Sequence, residues 1–334
     1  MQIRGIDKAD DGAMARQYAV VVASQCLGRP FYSPATRESS IADLRHDDPG
    51  ERCDLWGLYV GAELVGVVTL WLPLDDNTDT VWLQLDVHPD HRGRGYGGAA
   101  LAAVVDFAGG LGRTRVVTTA RYPDDRAEDH PYRRFAERHA FRLGSLDVNR
   151  RLPLPVPAPM LSRLAERARA AYLPAYRIET FTRVPDDLAA PLCACMNRVE
   201  SDAPSGEIDW EEETMTPDRL RGFAELDERV GRLRMTSVAR LAGSGEVVGY
   251  TELFITAGTT KALQSGTLVV REHRGHRLGL ALKVANLVAL QEHRPDAIEI
   301  FTGNNTENIW MVAVNEELGF EPVELIGQFY RQLP

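Results

Sequence analysis

The sequence predicts an α/β (α+β) protein of two similar domains, each a mixed, mostly antiparallel sheet flanked by helices. Three observations lead there. The chain has 334 residues, more than one core usually organises. A glycine-rich stretch between an apolar strand-like run and an apolar helix-like run occurs twice. His91-Arg92-Gly93 in "DVHPDHRGRGYGGAAL" returns as His273-Arg274-Gly275 in "LVVREHRGHRLGLAL", 182 positions later. The elements around the two stretches also follow the same order, and the distance from the first glycine to a later phenylalanine is 48 residues from Gly93 to Phe141 and 45 from Gly275 to Phe320.

In the first half, the alternating Ile3 and Ile6 open a strand. "DDGAMARQYAVVVASQCLG" is an apolar-periodic helix with acids at its start and Gly28 beyond its end. "DLWGLYVGAELVGVVTLWLP" is a hairpin turning at Gly61-Ala62-Glu63, and "VWLQLDV" is a further strand ending at His88-Pro89. The glycine loop, the helix "GAALAAVVDFAGG", the strand "TRVVTTA", the helix "HPYRRFAERHAF" and the strand "SLDVNRRLPL" complete the unit.

The second half repeats this course. It runs through strand "YRIETFTR", helix "DLAAPLCACMNRVE", and a hairpin in "RMTSVARLAGSGEVVGYTELFIT" turning at Ser244-Gly245. "SGTLVV" enters the second glycine loop; helix "LALKVANLVALQEH", strand "AIEIFTG", helix "NIWMVAVNEELGF" and strand "GQFYRQLP" follow. Between the halves, "RLPLPVPAPM" continues neither helix nor central strand, and "LSRLAERARAAY" reads as a connecting helix. The expected domains are 1–155 and 176–334, with 156–175 as linker.

Composition bounds the function. With 44% apolar and 26% charged residues the chain is globular, and a net charge of −10 excludes a nucleic-acid partner, whose phosphates need a basic face. No apolar run reaches the roughly 20 residues a membrane span needs, and the N-terminus lacks the basic-then-apolar order of a signal peptide, so a cytoplasmic protein with no membrane partner is expected. Cys26, Cys53, Cys193 and Cys195 are too few and too badly spaced for a zinc site or a disulfide framework, and no metal is expected.

A strand that ends in a glycine-rich turn and passes straight into a helix aims unpaired backbone N–H groups outward, where the helix dipole adds to an anion site. Glycine lets a pyrophosphate approach those donors. Arg92-Gly93-Arg94-Gly95-Tyr96-Gly97-Gly98 therefore reads as a phosphate cradle. A dinucleotide-binding fold is excluded by order: its loop follows the first strand of a βαβ unit, whereas this one follows a series of antiparallel strands.

On these residues each half resembles a GNAT-superfamily acyltransferase, whose acyl-CoA pyrophosphate loop reads Q/R-x-x-G-x-G/A. The first half carries Arg92, Gly95 and Gly97 after Val87-His88-Pro89; the second carries Arg274, Gly275, His276, Leu278 and Gly279, with Arg277 in place of the middle glycine. That arginine is expected to add a cation near the phosphates. A second family pattern, N-x-x-A-x-x-x-Y-x-x-x-G-F, matches Asn308, Gly319 and Phe320 better than Asp129, Ala140 and Phe141. The family's tyrosine acid is absent from both halves, being Ala136 and Asn315, and neither "TVWLQLDV" nor "ALQSGTLVV" has the glutamate base often found on that strand. As a tandem, the chain resembles double-domain members of the family such as mycothiol synthases, in which the C-terminal unit is catalytic.

The resemblance implies acetyl-CoA or another acyl-CoA as co-substrate, direct transfer of the acetyl group in a ternary complex to a primary amine of a small cationic molecule, and catalysis in the C-terminal domain of a monomer or homodimer. The alternative is a non-catalytic acyl-CoA-binding regulatory protein. Besides the two loops, the resemblance puts the CoA arm against Leu85 and Val87 in one half, and against Leu268, Val269, Val270, Asn308 and Asn315 in the other. Glu252 on the adjacent strand takes the amine's proton through water, or is a solvent-facing strand residue. Tyr330 on the last strand replaces the missing acid, or packs. Asn304 orients the acyl group, or caps the helix after it. Residues 200–213 hold seven acids and no Lys or Arg; Glu207, Asp209, Trp210, Glu211 and Glu212 there would bind the cationic amine, or form a solvated face.

Overall fold

The computed structural model describes residues 1–123, 126–198, 208, 210–211 and 214–334. The chain forms two compact units. Among the described residues, Met1–Asp147, Ile208 and Glu324–Pro334 make the first, and the remainder from Val148 to Val323 the second. The closing residues Glu324–Pro334, expected with the second domain, thus fold with the first.

The first unit runs β1 (Gln2–Gly5), α1 (Asp11–Cys26), α2 (Arg37–Arg45), β2 (Glu51–Val60), β3 (Glu63–Pro73), β4 (Thr80–Val87), α3 (Tyr96–Gly110), β5 (Arg115–Tyr122), α4 (Pro131–Arg138) and the start of β6 (Arg142–Pro153). The second holds the rest of β6, α5 (Ala158–Tyr172), β7 (Tyr176–Phe181), α6 (Asp186–Met196), α7 (Pro217–Val230), β8 (Arg232–Leu241), β9 (Val247–Thr256), β10 (Lys261–Val269), α8 (Leu278–His293), β11 (Glu299–Asn305), α9 (Ile309–Leu318) and the first residues of β12 (Glu321–Gln332). Helices α2 and α7 were not expected from the sequence. Both have readable starts: Thr36 and Thr216 accept from Ser39 N and Arg219 N, each at 3.2 Å, and Pro217 takes the first helical position of α7.

The strand order in the first unit is β1-β2-β3-β4-β5-β12 and in the second β6-β11-β10-β9-β8-β7. The sheets are mixed and mostly antiparallel, as expected. In each, one parallel pair lies beside an antiparallel series: β4 with β5, and β10 with β11. Strand β12 enters the first sheet antiparallel to β5, from Leu325 opposite Tyr122 to Gln332 opposite Arg115.

Cores follow from the apolar faces. In the first unit Met14 and Val20 of α1 pack on Leu55 and Val67. In the second, α5 and α8 cover one side of the sheet through Leu161, Leu164, Leu280, Val284 and Leu287, while Leu188 and Leu192 of α6 pack with Val238, Tyr250 and Leu268. Helix α8 is apolar nearly all round because it is buried nearly all round. Among the described residues no helix is long and apolar enough to cross a membrane.

Candidate active site

Both parallel pairs come apart. β4 pairs with β5 only from Thr80–Arg115 to Leu83–Thr118, and β10 with β11 only from Lys261–Glu299 to Gln264–Thr302. Beyond those positions each strand keeps its antiparallel neighbour and leaves its other edge open. The edge carries usable donors. Val270 N donates to Val248 O at 3.0 Å, so strand alternation turns the amide of Val269 to the open side and those of Leu268 and Val270 toward β9. In the first unit His88 N donates to Val65 O at 2.9 Å, which likewise exposes the amides of Val87 and Leu85.

The glycine loops start the helices that follow. Gly95 (φ 81°) and Arg277 (φ 54°) are the left-handed N-cap residues of α3 and α8, and neither helix has a side-chain cap, so the first-turn N–H groups face outward. Arg92 and Arg274 brace the loops: their Nε atoms donate to Val87 O and Val269 O, both at 3.0 Å. Arg92 is further held by Tyr132 Oη at 2.7 Å and Ser24 Oγ at 2.9 Å. Arg94 donates to Asp90 O at 3.1 Å. Arg277, expected beside the phosphates, turns its guanidinium to Glu317 of α9 at 3.2 Å, so its charge is balanced within the protein. Gly93 and Gly275 take positive φ in their turns, His276 lies against the Tyr176 ring, and the side chain of Leu278 is buried.

The two loops differ in room. A Cβ on Gly97 would meet Phe135 at 3.0 Å, and one on Gly98 would meet His139 at 2.9 Å; both rings belong to the α4 region. At Gly279 nothing lies within 4 Å. The start of α8 is open where the start of α3 is packed against rings.

The strands differ as well. β3 and β4 pair without interruption from Trp71–Trp82 to Gly66–Val87. β10 carries a bulge: the register on β9 passes from Gln264–Leu253 to Thr267–Thr251, leaving Ser265 and Gly266 opposite Glu252. Gly266 lacks a side chain where a Cβ would be 2.9 Å from Tyr250 Oη. Glu252 is not the solvent-facing alternative. Its side chain is 12% exposed, accepts from Thr236 Oγ1 at 3.3 Å and pairs with Arg234 at 3.5 Å. Arg234 also pairs with the buried Asp227 of α7 at 2.6 Å.

Among the other expected residues, Asn308 caps α9, accepting from Met311 N at 3.1 Å. Asn304 accepts from Asn315 Nδ2, and Asn315 in turn accepts from Lys283 Nζ at 2.8 Å. Asn305, not Asn304, is the turn-forming residue, accepting from Glu307 N at 2.8 Å. Tyr330 belongs to the first unit, where it lies opposite Val117. Of the acidic run, Trp210 is half-buried and Glu211 exposed, whereas Glu207, Asp209 and Glu212 lie outside the described residues.

Two groups carried no sequence signal that was used. Asp86 of β4, 1% exposed, accepts from Gln25 Nε2 at 2.7 Å and Gln84 Nε2 at 2.6 Å, and burial pushes its carboxyl above the ordinary range. The network continues through Arg29 to Glu324 at 2.8 Å; burial raises the neighbouring Tyr32 to about 12. The other group is Lys283. It is 2% exposed, and burial, helped by Arg150, pushes its ammonium down to about 7.

Residues 23–141 match the acetyltransferase (GNAT) family. No curated protein matches the chain significantly. Among solved structures, a tandem GNAT protein from the clavulanic acid biosynthesis pathway matches 99% of this chain with 98% of its own, at 26% identity and TM-score 0.79. A GCN5-related N-acetyltransferase from Sphaerobacter thermophilus covers 99% and 95%, at 17% identity and TM-score 0.65. Saccharomyces cerevisiae N-myristoyltransferase with bound myristoyl-CoA covers 99% and 78%, at 12% identity and TM-score 0.61. The last two are likenesses of fold alone.

Proposed function

We propose that this chain, which carries a GNAT-family acetyltransferase domain in a tandem GNAT fold, is an acyl-CoA-dependent N-acyltransferase whose second unit performs the transfer. The observation that carries this reading is the bulge of β10, which sets Ser265 and Gly266 opposite Glu252 at the point where β10 leaves β11. Acetyl-CoA or a related acyl-CoA supplies the activated thioester. The free N–H groups at the start of α8 receive the pyrophosphate, with Gly279 leaving them accessible, and the open amide of Val269 receives the pantetheine arm. Asn308 spends its Oδ1 on the helix cap and keeps Nδ2 for that arm.

The amine nitrogen attacks the thioester carbonyl, the C–S bond breaks, and CoA leaves as the thiolate. The proton lost by the amine passes through water to Glu252, whose place between Thr236 and Arg234 keeps it oriented. Much of the rate comes from holding amine and thioester together, so a missing tyrosine acid lowers the rate without preventing turnover. The acceptor is a small cationic amine: the net charge is −10, and Glu211 and Trp210 belong to the second unit. Thiol release from acetyl-CoA, measured with a panel of a polyamine, an aminoglycoside and an amino-acid amide, should saturate with at least one amine. Release that no amine stimulates overturns the reading.

A second reading has its own support. The family match falls on residues 23–141, and the first loop has the complete R-x-x-G-x-G pattern. On that basis the first unit also binds CoA, in a structural or regulatory capacity.

A further inference from the structure

The helices that follow the two glycine loops are related position by position through Arg92 and Arg274. Lys283 therefore stands where α3 has Leu101, and Asn315 stands where α4 has Ala136, counting back from Phe320 and Phe141. In the first unit both places are apolar and buried; in the second both are polar and equally buried. A buried ammonium is costly, and among the described residues no carboxylate pairs with it. The groups around Lys283 are Asn315 of α9, Phe320 with its ring centroid at 5.7 Å, and Arg150 of β6, a second cation. A core that only needed filling would have kept leucine.

The chemistry of the ammonium imposes a direction on what it touches. As an ammonium Lys283 can only donate, so the atom of Asn315 facing it, at 2.8 Å, must be the carbonyl Oδ1. The amide of Asn315 is thereby fixed, and its Nδ2 donates to Asn304 Oδ1. Asn304 is fixed in turn: its oxygen is used, and its Nδ2 has no partner among the described residues. Asn304 lies near the end of β11, past Thr302, where β11 no longer pairs with β10.

We propose that Lys283 is a positioning residue: through Asn315 it orients Asn304 so that an N–H donor is held at the parting of β10 and β11 for the thioester carbonyl of a bound acyl-CoA. This rests on the reading of the second unit as the acyl-CoA site. A donor held by a chain of hydrogen bonds that starts at a cation is stronger than one held by a neutral chain. Free CoA lacks the acyl carbonyl and gains nothing from it. Protonated Lys283 strengthens the chain, and its ammonium titrates near 7, so the advantage of acetyl-CoA over CoA should fall as pH rises through that value.

Calorimetry on the full chain with acetyl-CoA and with CoA, between pH 6 and 8.5, tests this. Two variants separate direction from packing. Lys283→Leu restores the residue of the first unit. Asn315→Asp keeps the shape and gives Lys283 a carboxylate partner, but offers no N–H to Asn304, which then turns its oxygen outward. The wild-type second site should prefer acetyl-CoA by about tenfold at pH 6, the worth of one charge-assisted hydrogen bond, and both variants should erase the preference, with CoA affinity itself unchanged in Lys283→Leu. A preference that persists in both variants, or that is absent or pH-independent in the wild type, overturns the inference alone. Binding of neither ligand at the second unit overturns the proposed function and this inference with it.

Discussion

The two units share a fold and differ where chemistry would occur. In the first, β4 runs straight along β3, the start of α3 packs on Phe135 and His139, and the buried acid Asp86 is bound on both sides by glutamine amides. In the second, β10 is bulged opposite Glu252, the start of α8 is open at Gly279, and α8 buries Lys283 and Asn286 where α3 buries Leu101 and Val104. The more complete phosphate-loop motif thus lies in the unit with the more closed site. A loop motif reports on how a helix start is built; a bulge reports on what the neighbouring strand can present.

The largest effect expected from breaking this contrast is structural and confined to the first unit. Arg29 and Glu324, 8% and 11% exposed, form a bidentate pair that ties the segment after α1 to the chain's closing strand. Arg29→Met should cost about 3 kcal/mol by leaving that carboxylate short of its partner. Denaturant unfolding should show the loss, while thiol release by the intact fraction stays unchanged.

Next comes the pH dependence of the second unit. Lys283 has an ammonium lowered from 10.5 to about 7 in the folded chain. Between these values the unfolded chain binds more protons, so stability rises with pH from about 7 toward 10.5. In Lys283→Leu the rise between pH 7 and 9 should shrink by about 2 kcal/mol. Unfolding midpoints that follow the same pH curve in both proteins would show that Lys283 is not the titrating group.

A smaller effect sharpens the comparison of the loops. A Cβ at Gly279 has no atom within 4 Å, so Gly279→Glu starts from open space and places a carboxylate where the pyrophosphate is to bind; CoA affinity at the second site should fall about tenfold with the fold intact. Arg94→Glu should weaken only the first site. The smallest effect is at Asn308: aspartate preserves the helix cap but removes Nδ2, and Asn308→Asp should raise KM for acetyl-CoA about threefold.

The fold was legible because its signals are local. The hairpins, the two glycine loops and the apolar helices α3 and α8 announce themselves in contiguous residues. Helices α2 and α7 were missed because their faces are weakly apolar, although Thr36 and Thr216-Pro217 mark their starts. The membership of the last strand was not legible: "GQFYRQLP" specifies a strand, but its pairing with β5 is a long-range choice, and it makes Tyr330 a residue of the first unit. The candidate site was legible in part. Glu252, Asn304 and Asn308 were named as candidates from the strand ends and the motif. Lys283 was hidden, because one lysine in an apolar helix reads as a solvent-facing position until its burial is seen, and the bulge at Ser265-Gly266 leaves no mark beyond one glycine.

The central claim, that the bulged strand of the second unit is where transfer occurs, is tested most directly by comparing two neutralised carboxylates in one steady-state assay of amine-dependent thiol release. Glu252→Gln should lower kcat about 100-fold or more, the usual worth of a positioned general base, with little change in KM for acetyl-CoA. Asp86→Asn, the corresponding change beside the open edge of β4, should leave kcat within about twofold. The reverse ranking, with Asp86→Asn inactive and Glu252→Gln fully active, would contradict the account and move the reaction to the first unit.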